Sequence, residues 1–171
     1  LNIGGPASHV HLLATGLDPR RFATRVVTGR ISSGEGSMDY LFRPGDSELV
    51  TISELQREIR PVLDLRAFFQ ILRLISREHP DIVHTHTAKA GFSARFAVIL
   101  HNALRKQNVA MVHTFHGHVF EGYFDRWRST LFVNIERLLG RAADVILAIS
   151  PSQRRALVQT YRIGSPKKGR R

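Results

Sequence analysis

The chain has 171 residues, of which 43% are apolar, and it contains no cysteine. The length and the apolar fraction predict a folded globular domain and argue against disorder for most of the chain. The lack of cysteine excludes disulfides, thiolate metal sites and a cysteine nucleophile, and no apolar run approaches the roughly 18 residues that span a bilayer.

The formal net charge is +11 at pH 7, and the basic residues are 21 arginines and 4 lysines. A domain this basic can bind nucleic acid, an anionic membrane surface or phosphorylated substrates. No RNA- or DNA-binding motif accompanies the arginines, so we expect no nucleic-acid partner. Two interpretations of the charge stay open. It serves attraction to a membrane or a phosphate, or it reflects only an arginine-rich composition with a basic tail at residues 165–171.

Helical and strand patterns alternate along the chain, marked by apolar periodicity, capping residues and glycine or proline breaks. The predicted strands are residues 23–28, 48–52, 81–86, 109–115 and 144–149. The predicted helices are residues 5–17, 64–78, 88–104 and 126–141, with a last helix from Pro151 and with Asp64 and Ser150 as caps. This order predicts an α/β fold with a doubly wound, mainly parallel, Rossmann-like sheet in one domain of residues 1–164.

Both ends of the chain are consistent with a part of a longer protein. The first residue is Leu1 rather than methionine, and a loop of sequence N-I-G-G-P normally follows a strand. We therefore expect that the first strand of the sheet is lacking before Leu1.

The most informative segment is residues 81–122, where two short apolar strands each end in histidines before a glycine-containing turn. Ligands of parallel α/β sheets bind just beyond the carboxyl ends of the strands. The residues that this segment brings to that edge are His84, His86, Lys89, His113, His116 and His118. We expect His84 and His113 to be structural, because each lies inside its strand, and we expect His86 and His116 to face the crevice.

Three further features have more than one interpretation. Gly4 and Gly5 begin a helix whose backbone N–H groups could receive a phosphate, or they form only a tight turn. The aromatic residues and arginines of 119–128 suit an interfacial surface or an acceptor groove, or they pack on the following helix. The histidines invite a zinc interpretation, but Glu121 is the nearest acid and lies in a predicted loop, so we expect no metal.

Sequence motifs exclude some enzyme classes and then identify a family. The chain has no G-x-S-x-G, Walker or G-x-G-x-x-G motif, which argues against serine hydrolases, P-loop enzymes and dinucleotide enzymes. The motifs that it does have include N-I-G-G-P-A-S-H-V, D-I-V-H-T-H-T-A-K-A-G, V-H-T-F-H-G-H-V-F-E-G-Y-F and A-D-V-I-L-A-I-S-P-S-Q. In this order and spacing they resemble the N-terminal half of family 4 glycosyltransferases, nearest to the capsule and exopolysaccharide subgroup.

The resemblance implies the GT-B fold, in which an acceptor-binding domain and a nucleotide-sugar-binding domain face a cleft. It also implies metal-independent transfer with retention of anomeric configuration and no cofactor beyond the nucleotide-sugar co-substrate. By position, the loop of Gly4 and Gly5 would lie against the donor phosphates, and His116 would be the catalytic residue that contacts the transferred sugar. The residues that would bind the acceptor or sugar are His86, Lys89, His118 and Glu121.

The function implied is a retaining hexosyltransferase of cell-surface polysaccharide synthesis. It would use a lipid-linked saccharide acceptor and work in the cytoplasm, at the inner face of the membrane. The donor-binding half and its paired glutamates do not follow the last helix, so we expect the fragment alone to be catalytically silent and marginally stable. Two alternatives stay open: a non-catalytic basic surface-binding module and a GT-B nucleotide-sugar epimerase.

Overall fold

The computed structural model of the chain describes residues 3–31, 34–43, 47–117 and 126–164, without the side chains of Arg126 and Arg128. The chain forms two compact units, Leu1–Gln70 and Ile71–Arg171. None of the described helices is both long enough and apolar enough to cross a membrane.

The first unit contains a helix, two strands and the beginning of a second helix. Its elements are α1 (Gly5–Gly16), β1 (Arg25–Gly29), a short 3₁₀ helix (Asp39–Leu41), β2 (Glu48–Ile52) and the start of α2 (Pro61–Glu78). Strands β1 and β2 pair in parallel, with Arg25 opposite Glu48. The two side chains also form an ion pair, with 3.0 Å between Nε of Arg25 and Oε2 of Glu48. The ion pair therefore joins the same two residues that the backbone register places side by side.

Helix α2 begins at Pro61, three residues before the predicted start at Asp64. Proline suits a first helical position, because proline has no N–H group and an N–H group there would have no partner within the helix. The Asp64 backbone N–H donates to the Arg60 carbonyl at 2.8 Å, and the Asp64 carboxylate accepts the Arg60 N–H at 3.0 Å. Asp64 therefore caps the helix from inside its first turn by reaching back, as the acidic member of a capping box does.

The second unit is a three-stranded sheet with helices in the connections. Its elements are β3 (Ile82–His86), α3 (Ala88–Arg105), β4 (Ala110–Phe115), α4 (Arg126–Ala142), β5 (Val145–Ala148), α5 (Pro151–Arg155) and a π-helical turn (Ala156–Thr160). The strand order is β3-β4-β5, and both pairings are parallel. The alternation of strands and helices matches the predicted order, and the α/β class with parallel strands is confirmed.

The described strands form two parallel sheets, one in each unit. Hydrogen bonding explains the division. Within the described residues β1 pairs only with β2, and no strand pairs with members of both sheets.

The core of the second unit lies on one face of its sheet. Phe115 is buried there with Leu157 and Ile163, and Ile146 and Tyr161 pack against this cluster. Burying these side chains favours the packing of the helices against the sheet, at roughly 25 cal/mol per Å² of apolar surface. The opposite face carries the residues of the candidate site, because successive side chains of a strand point to opposite faces.

Candidate functional site

The carboxyl ends of β3 and β4 bring His86 and His116 together. Strand β3 ends at His86, which pairs in register with Thr114, so His116 follows two residues further along the neighbouring strand. The Nδ1 atom of His86 lies 2.8 Å from the Nε2 atom of His116, and the ring centroids are 5.1 Å apart. Both side chains are half-buried. The predicted position of these two histidines at one sheet edge is confirmed.

The hydrogen bond between the two rings limits their protonation. One bonded nitrogen must carry the proton and the other must accept it. If both rings were protonated, neither bonded nitrogen could accept, and the bond would be lost. The pair can therefore hold one proton in the contact and present its remaining ring atoms to a polar ligand, which suits the recognition of sugar hydroxyl groups.

His84 extends this pair into a row of three histidines. Its ring centroid lies 4.3 Å from that of His86, and its Nε2 atom lies 2.8 Å from the Oγ1 atom of the buried Thr114. His84 is half-buried and anchored by this bond. It therefore supports the ring of His86 from behind, in keeping with the structural role expected for it.

His113 lies on the opposite face of the sheet and is 1% exposed. Its Nδ1 atom is 2.7 Å from the Oγ1 atom of Thr85, and its ring meets that of Phe115 edge-on at 4.5 Å. Burial, followed by the positive charge of Arg95, lowers the pKa of His113 from 6.5 to about 3. The imidazole is therefore neutral at physiological pH, and the expected structural role of His113 is confirmed by its burial.

The turn from β3 into α3 is strained directly after His86. Thr87, the N-cap of α3, has φ 61° and ψ 163°, and a positive φ is unfavourable for a β-branched residue. Strain of this kind costs about 1–3 kcal/mol and tends to occur at functional sites. Lys89 follows in the first turn of α3 and is half-buried. Its predicted role as an acceptor-binding residue stays a prediction.

The glycine loop lies in the first unit, before α1. Gly4 is the N-cap, with φ 149° and ψ 174°, a conformation that is essentially confined to glycine. No side chain caps this end of the helix, and Pro6 stands in its first turn. The Gly4 N–H contacts the Met38 sulfur at 3.3 Å. The backbone geometry suits a phosphate-binding turn, and the predicted role of Gly4 and Gly5 stays a prediction.

Two predicted site residues, His118 and Glu121, lie outside the described residues, as do most of the aromatic residues of 119–128. Their predicted roles in binding the acceptor or the sugar stay predictions.

Gln153 is a residue of the site region that the sequence analysis missed. It is 3% exposed, and its Nε2 atom donates to the Gly117 carbonyl at 2.8 Å, directly after His116. Its Oε1 atom accepts the Ile149 N–H at 2.9 Å. The spacing S-x-x-Q from Ser150 to Gln153 is that of a capping box and could have signalled a buried role. The bond to Gly117 had no signal in the sequence.

A buried ion pair lies behind the sheet, and the sequence analysis missed this feature too. Arg95 and Glu136 are 0% and 1% exposed in their side chains and form two hydrogen bonds, of 2.9 and 2.7 Å. The Arg95 Nε atom also donates to the Gly91 carbonyl at 2.9 Å. The ion pair joins α3 to α4. Gly91 leaves room for the ring of His113, because a Cβ atom at position 91 would lie only 2.7 Å from the Cε1 atom of that ring.

Comparisons with known proteins agree with this architecture. The chain is 28% identical over 83 residues to a 41.2 kDa protein of the cps region in Klebsiella pneumoniae, itself uncharacterised. It is 34% identical over 70 residues to the UDP-Gal:alpha-D-GlcNAc-diphosphoundecaprenol alpha-1,3-galactosyltransferase of Escherichia coli. These alignments cover 48% and 41% of the chain but only 23% and 17% of the two relatives, so the chain spans a minor part of their length.

A solved structure and a family profile extend the likeness to nearly the whole chain. A Listeria monocytogenes protein assigned as a UDP-N-acetylglucosamine 2-epimerase superposes with a TM-score of 0.56 at 16% identity, over 91% of this chain and 39% of that one. At that identity the likeness concerns the fold, and it supports a Rossmann-like half of a larger architecture. Residues 3–167 match the profile of Glycosyltransferase Family 4. That match includes the strands that carry His86 and His116 as well as the glycine loop, and the chain therefore belongs to glycosyltransferase family 4.

Proposed function

We propose that this chain is the acceptor-side half of a retaining glycosyltransferase that moves a hexose from a nucleotide sugar to a lipid-linked saccharide. Family membership makes the chain part of a glycosyltransferase. The choice of acceptor is supported by the Escherichia coli relative, whose name specifies a nucleotide-activated galactose and a diphosphoundecaprenol-linked sugar. The enzyme would work in the cytoplasm at the inner face of the membrane, in the synthesis of a cell-surface polysaccharide.

The observation that carries the proposal is the contact between His86 and His116. In the transfer, the bond between the anomeric carbon and the phosphate oxygen of the donor breaks, and a bond from that carbon to an acceptor hydroxyl oxygen forms. The hydroxyl proton passes to a phosphate oxygen of the nucleoside diphosphate, which leaves. His116, fixed by His86 at 2.8 Å, would hold a hydroxyl group of the transferred sugar while the charge at the anomeric carbon changes.

The remaining binding roles are assigned by position in the sequence of the family. Lys89, in the first turn of α3, would bind an anionic group of the acceptor, and His118 and Glu121 would complete the sugar contacts. The loop of Gly4 and Gly5 would lie against the donor phosphates with the support of the helix dipole. We propose that neither a metal ion nor a cofactor takes part, because fixed hydrogen-bond donors can stabilise the leaving phosphate.

The test is transfer by the complete protein, with a nucleotide sugar and a lipid-linked acceptor. His116→Ala should lower kcat by about 10²–10³, the usual cost of removing one hydrogen-bond donor to the transition state, with little change in Tm. His79→Asn is the matched control, because His79 is exposed and its positive φ of 47° suits asparagine. Unchanged turnover in His116→Ala would remove His116 from the site.

Product analysis separates this function from its alternatives. A new glycosidic bond with retained configuration supports the transferase, and a nucleotide sugar altered at one carbon without such a bond identifies an epimerase. Reading the coding frame beyond Arg171 tests the third possibility. A second Rossmann-like half with paired glutamates supports the enzyme, and an unrelated domain there would favour a surface-binding module. The 171-residue chain alone should transfer no sugar.

A further inference from the structure

A segment of the first unit, residues 36–42, lies along the beginning of helix α1. The Ile3 N–H donates to the Gly36 carbonyl at 3.2 Å, and a Cβ atom at position 36 would overlap the Ile3 side chain. At the other end of the segment, the Phe42 ring meets the His11 ring edge-on, with 5.1 Å between the centroids. The segment is therefore in contact with both the residue before the glycine loop and the second turn of α1.

The side chain of Met38, within this segment, contacts the glycine loop. Its sulfur atom accepts the Gly4 N–H, with 3.3 Å between the sulfur and the nitrogen. The backbone of Met38 is fixed at the same time, because its carbonyl accepts the Leu41 N–H at 3.1 Å at the start of the 3₁₀ helix. Gly4 is the N-cap of α1, so the thioether holds an N–H group at the helix end where the donor phosphates are proposed to bind.

A thioether is a weak acceptor for such an N–H group. An ionised phosphate oxygen forms charge-assisted hydrogen bonds, which are about twice as strong as bonds between neutral groups. The Met38 sulfur can therefore hold the Gly4 N–H in the free protein and give it up when a phosphate binds. A leucine of similar size would fill the same space but would leave the N–H without this contact, so the sulfur atom itself has a role beyond packing.

Met38 is also the more exposed of the two sulfur-containing residues in the chain. The chain has no cysteine and two methionines, Met38 and Met111. Met111 lies in β4 and is 3% exposed, whereas Met38 is half-buried. The oxidation of sulfur in a folded protein follows its exposure. An oxidant that reaches the folded chain therefore reacts with Met38 before it reacts with Met111.

We infer that Met38 is a site of reversible oxidation that controls the access of a phosphate to the glycine loop. A sulfur lone pair attacks one oxygen of hydrogen peroxide, the O–O bond breaks, and a sulfur–oxygen bond forms. The sulfur loses two electrons, and the second oxygen takes the proton of the first and leaves as water. The resulting sulfoxide is polar, and a methionine sulfoxide reductase with a thiol reductant reverses the step.

The sulfoxide oxygen changes the contact with Gly4. It is a far better hydrogen-bond acceptor than the thioether sulfur, so it would hold the Gly4 N–H where the sulfur holds it now. A phosphate oxygen would then have to displace a strong acceptor in place of a weak one, and the donor should bind less tightly. The inference rests on the proposed function, which assigns the donor phosphates to this loop.

The test is treatment of the complete protein with hydrogen peroxide, followed by peptide mass spectrometry and by the transfer assay. Met38 should be oxidised about tenfold faster than Met111, because it is the more exposed residue. Full conversion at Met38 should raise the KM for the nucleotide sugar about fivefold, the effect of losing one hydrogen bond. The KM for the acceptor should stay unchanged, and a methionine sulfoxide reductase should restore the native KM for the nucleotide sugar.

Three variants separate oxidation at Met38 from damage elsewhere in the protein. Met38→Leu keeps the apolar volume and should lose the response of the KM to peroxide. Met111→Leu is the matched control, since it removes the other methionine of the chain by an equally conservative change, and it should respond to peroxide as the native protein does. Met38→Gln places a carbonyl acceptor near the Gly4 N–H and should raise the KM for the nucleotide sugar without any peroxide. Tm is measured for each variant as the check on folding.

Three results would overturn the inference: equal oxidation rates of Met38 and Met111, a native KM after full conversion at Met38, or a continued response to peroxide in Met38→Leu. The stronger hydrogen bond of the sulfoxide should also slow hydrogen exchange at the Gly4 amide, which is measured on the same samples without substrate. Selective oxidation with slowed exchange but no sugar transfer would overturn the proposed function alone. Sugar transfer with neither slowed exchange nor a changed KM would overturn the role of Met38 alone.

Discussion

Gln153 donates a hydrogen bond of 2.8 Å to the carbonyl oxygen of Gly117, the residue that follows His116. The same amide accepts the Ile149 N–H at 2.9 Å, and the Gln153 N–H donates to the Ser150 hydroxyl at 3.1 Å. One buried side chain thus ties the end of β5 and the start of α5 to the end of β4. Gly117 directly follows His116, so this tie restrains the backbone on the carboxyl side of His116.

Gln153→Glu should lower kcat with little change in KM. A carboxylate can still accept the Ile149 N–H, but it cannot donate to the Gly117 carbonyl and would repel it. The loss of one hydrogen bond, worth about 1 kcal/mol, predicts a decrease in kcat of roughly fivefold in the complete protein. The measurement is steady-state transfer, with Tm as the check on folding.

A double-mutant comparison separates positioning from a general loss of stability. If Gln153 acts through His116, Gln153→Glu should add little to the loss already caused by His116→Ala. Independent, multiplicative decreases in kcat would show that Gln153 does not act through His116.

The stability of the protein should depend on pH through His113. The pKa of His113 is lowered from 6.5 to about 3 in the folded chain, so between these values the unfolded chain binds the proton and the folded chain does not. The contribution of His113 to the free energy of unfolding is therefore fully present above pH 6.5. It decreases as the pH falls toward about 3, by up to roughly 1.4 kcal/mol per pH unit. From pH 7 to pH 5 the loss from this group should be about 2 kcal/mol.

The measurement is urea unfolding of the native chain and of His113→Gln at these two pH values. The glutamine can still bond to Thr85 but does not titrate, so its free energy of unfolding should decrease less on acidification. His79→Asn, which replaces an exposed histidine, is measured in parallel. An equal decrease in the free energy of unfolding for the native chain and His113→Gln would show that His113 is not the origin of the pH dependence.

The sheet edge with its two histidines could be predicted because strand patterns are local. The alternation in D-I-V-H-T-H and V-A-M-V-H-T-F-H fixes which residues end each strand, and parallel pairing then brings those ends together. Strand β2 was predicted at its observed bounds, 48–52, and α3 ends one residue beyond the predicted end at 104.

The features that were missed depend on contacts between distant positions. Gln153 and Gly117 are 36 residues apart, and Arg95 and Glu136 are 41 residues apart. No local period specifies such pairs, because they arise only when the helices pack on the sheet. The start of α2 was misplaced for a different reason. Asp64 reaches backward to Arg60, whereas the prediction had it cap only the residues that follow.

Gly91→Ala should destabilise the protein by about 1–3 kcal/mol, the usual cost of overpacking. A Cβ atom at this position would lie 2.7 Å from Cε1 and 3.2 Å from Nδ1 of His113, whose ring is held by Thr85 and Phe115. Gly16→Ala is the control, since a Cβ atom there meets nothing within 4 Å and alanine favours a helix. The measurement is thermal unfolding of both variants. Equal Tm values for Gly91→Ala and Gly16→Ala would mean that the His113 ring moves aside freely.

Removing one partner of the buried ion pair should cost more than removing both. Arg95→Met leaves the Glu136 carboxylate buried without its two hydrogen bonds, which typically costs about 3–5 kcal/mol. Adding Glu136→Met removes the stranded charge, and apolar replacements of such pairs are often neutral or stabilising, so the double variant should recover part of the loss. Urea unfolding of the native chain, both single variants and the double variant gives the coupling free energy.

The exposed pair of Arg25 and Glu48 is the internal control for this cycle. Their side chains are 32% and 61% exposed, and a solvated pair of this kind contributes about 0–1 kcal/mol. The coupling of Arg95 with Glu136 should therefore be clearly larger than that of Arg25 with Glu48. Additive losses in the Arg95 cycle would mean that water reaches Glu136 once the guanidinium is gone. In that case the contact between α3 and α4 would depend on apolar packing rather than on the buried charges.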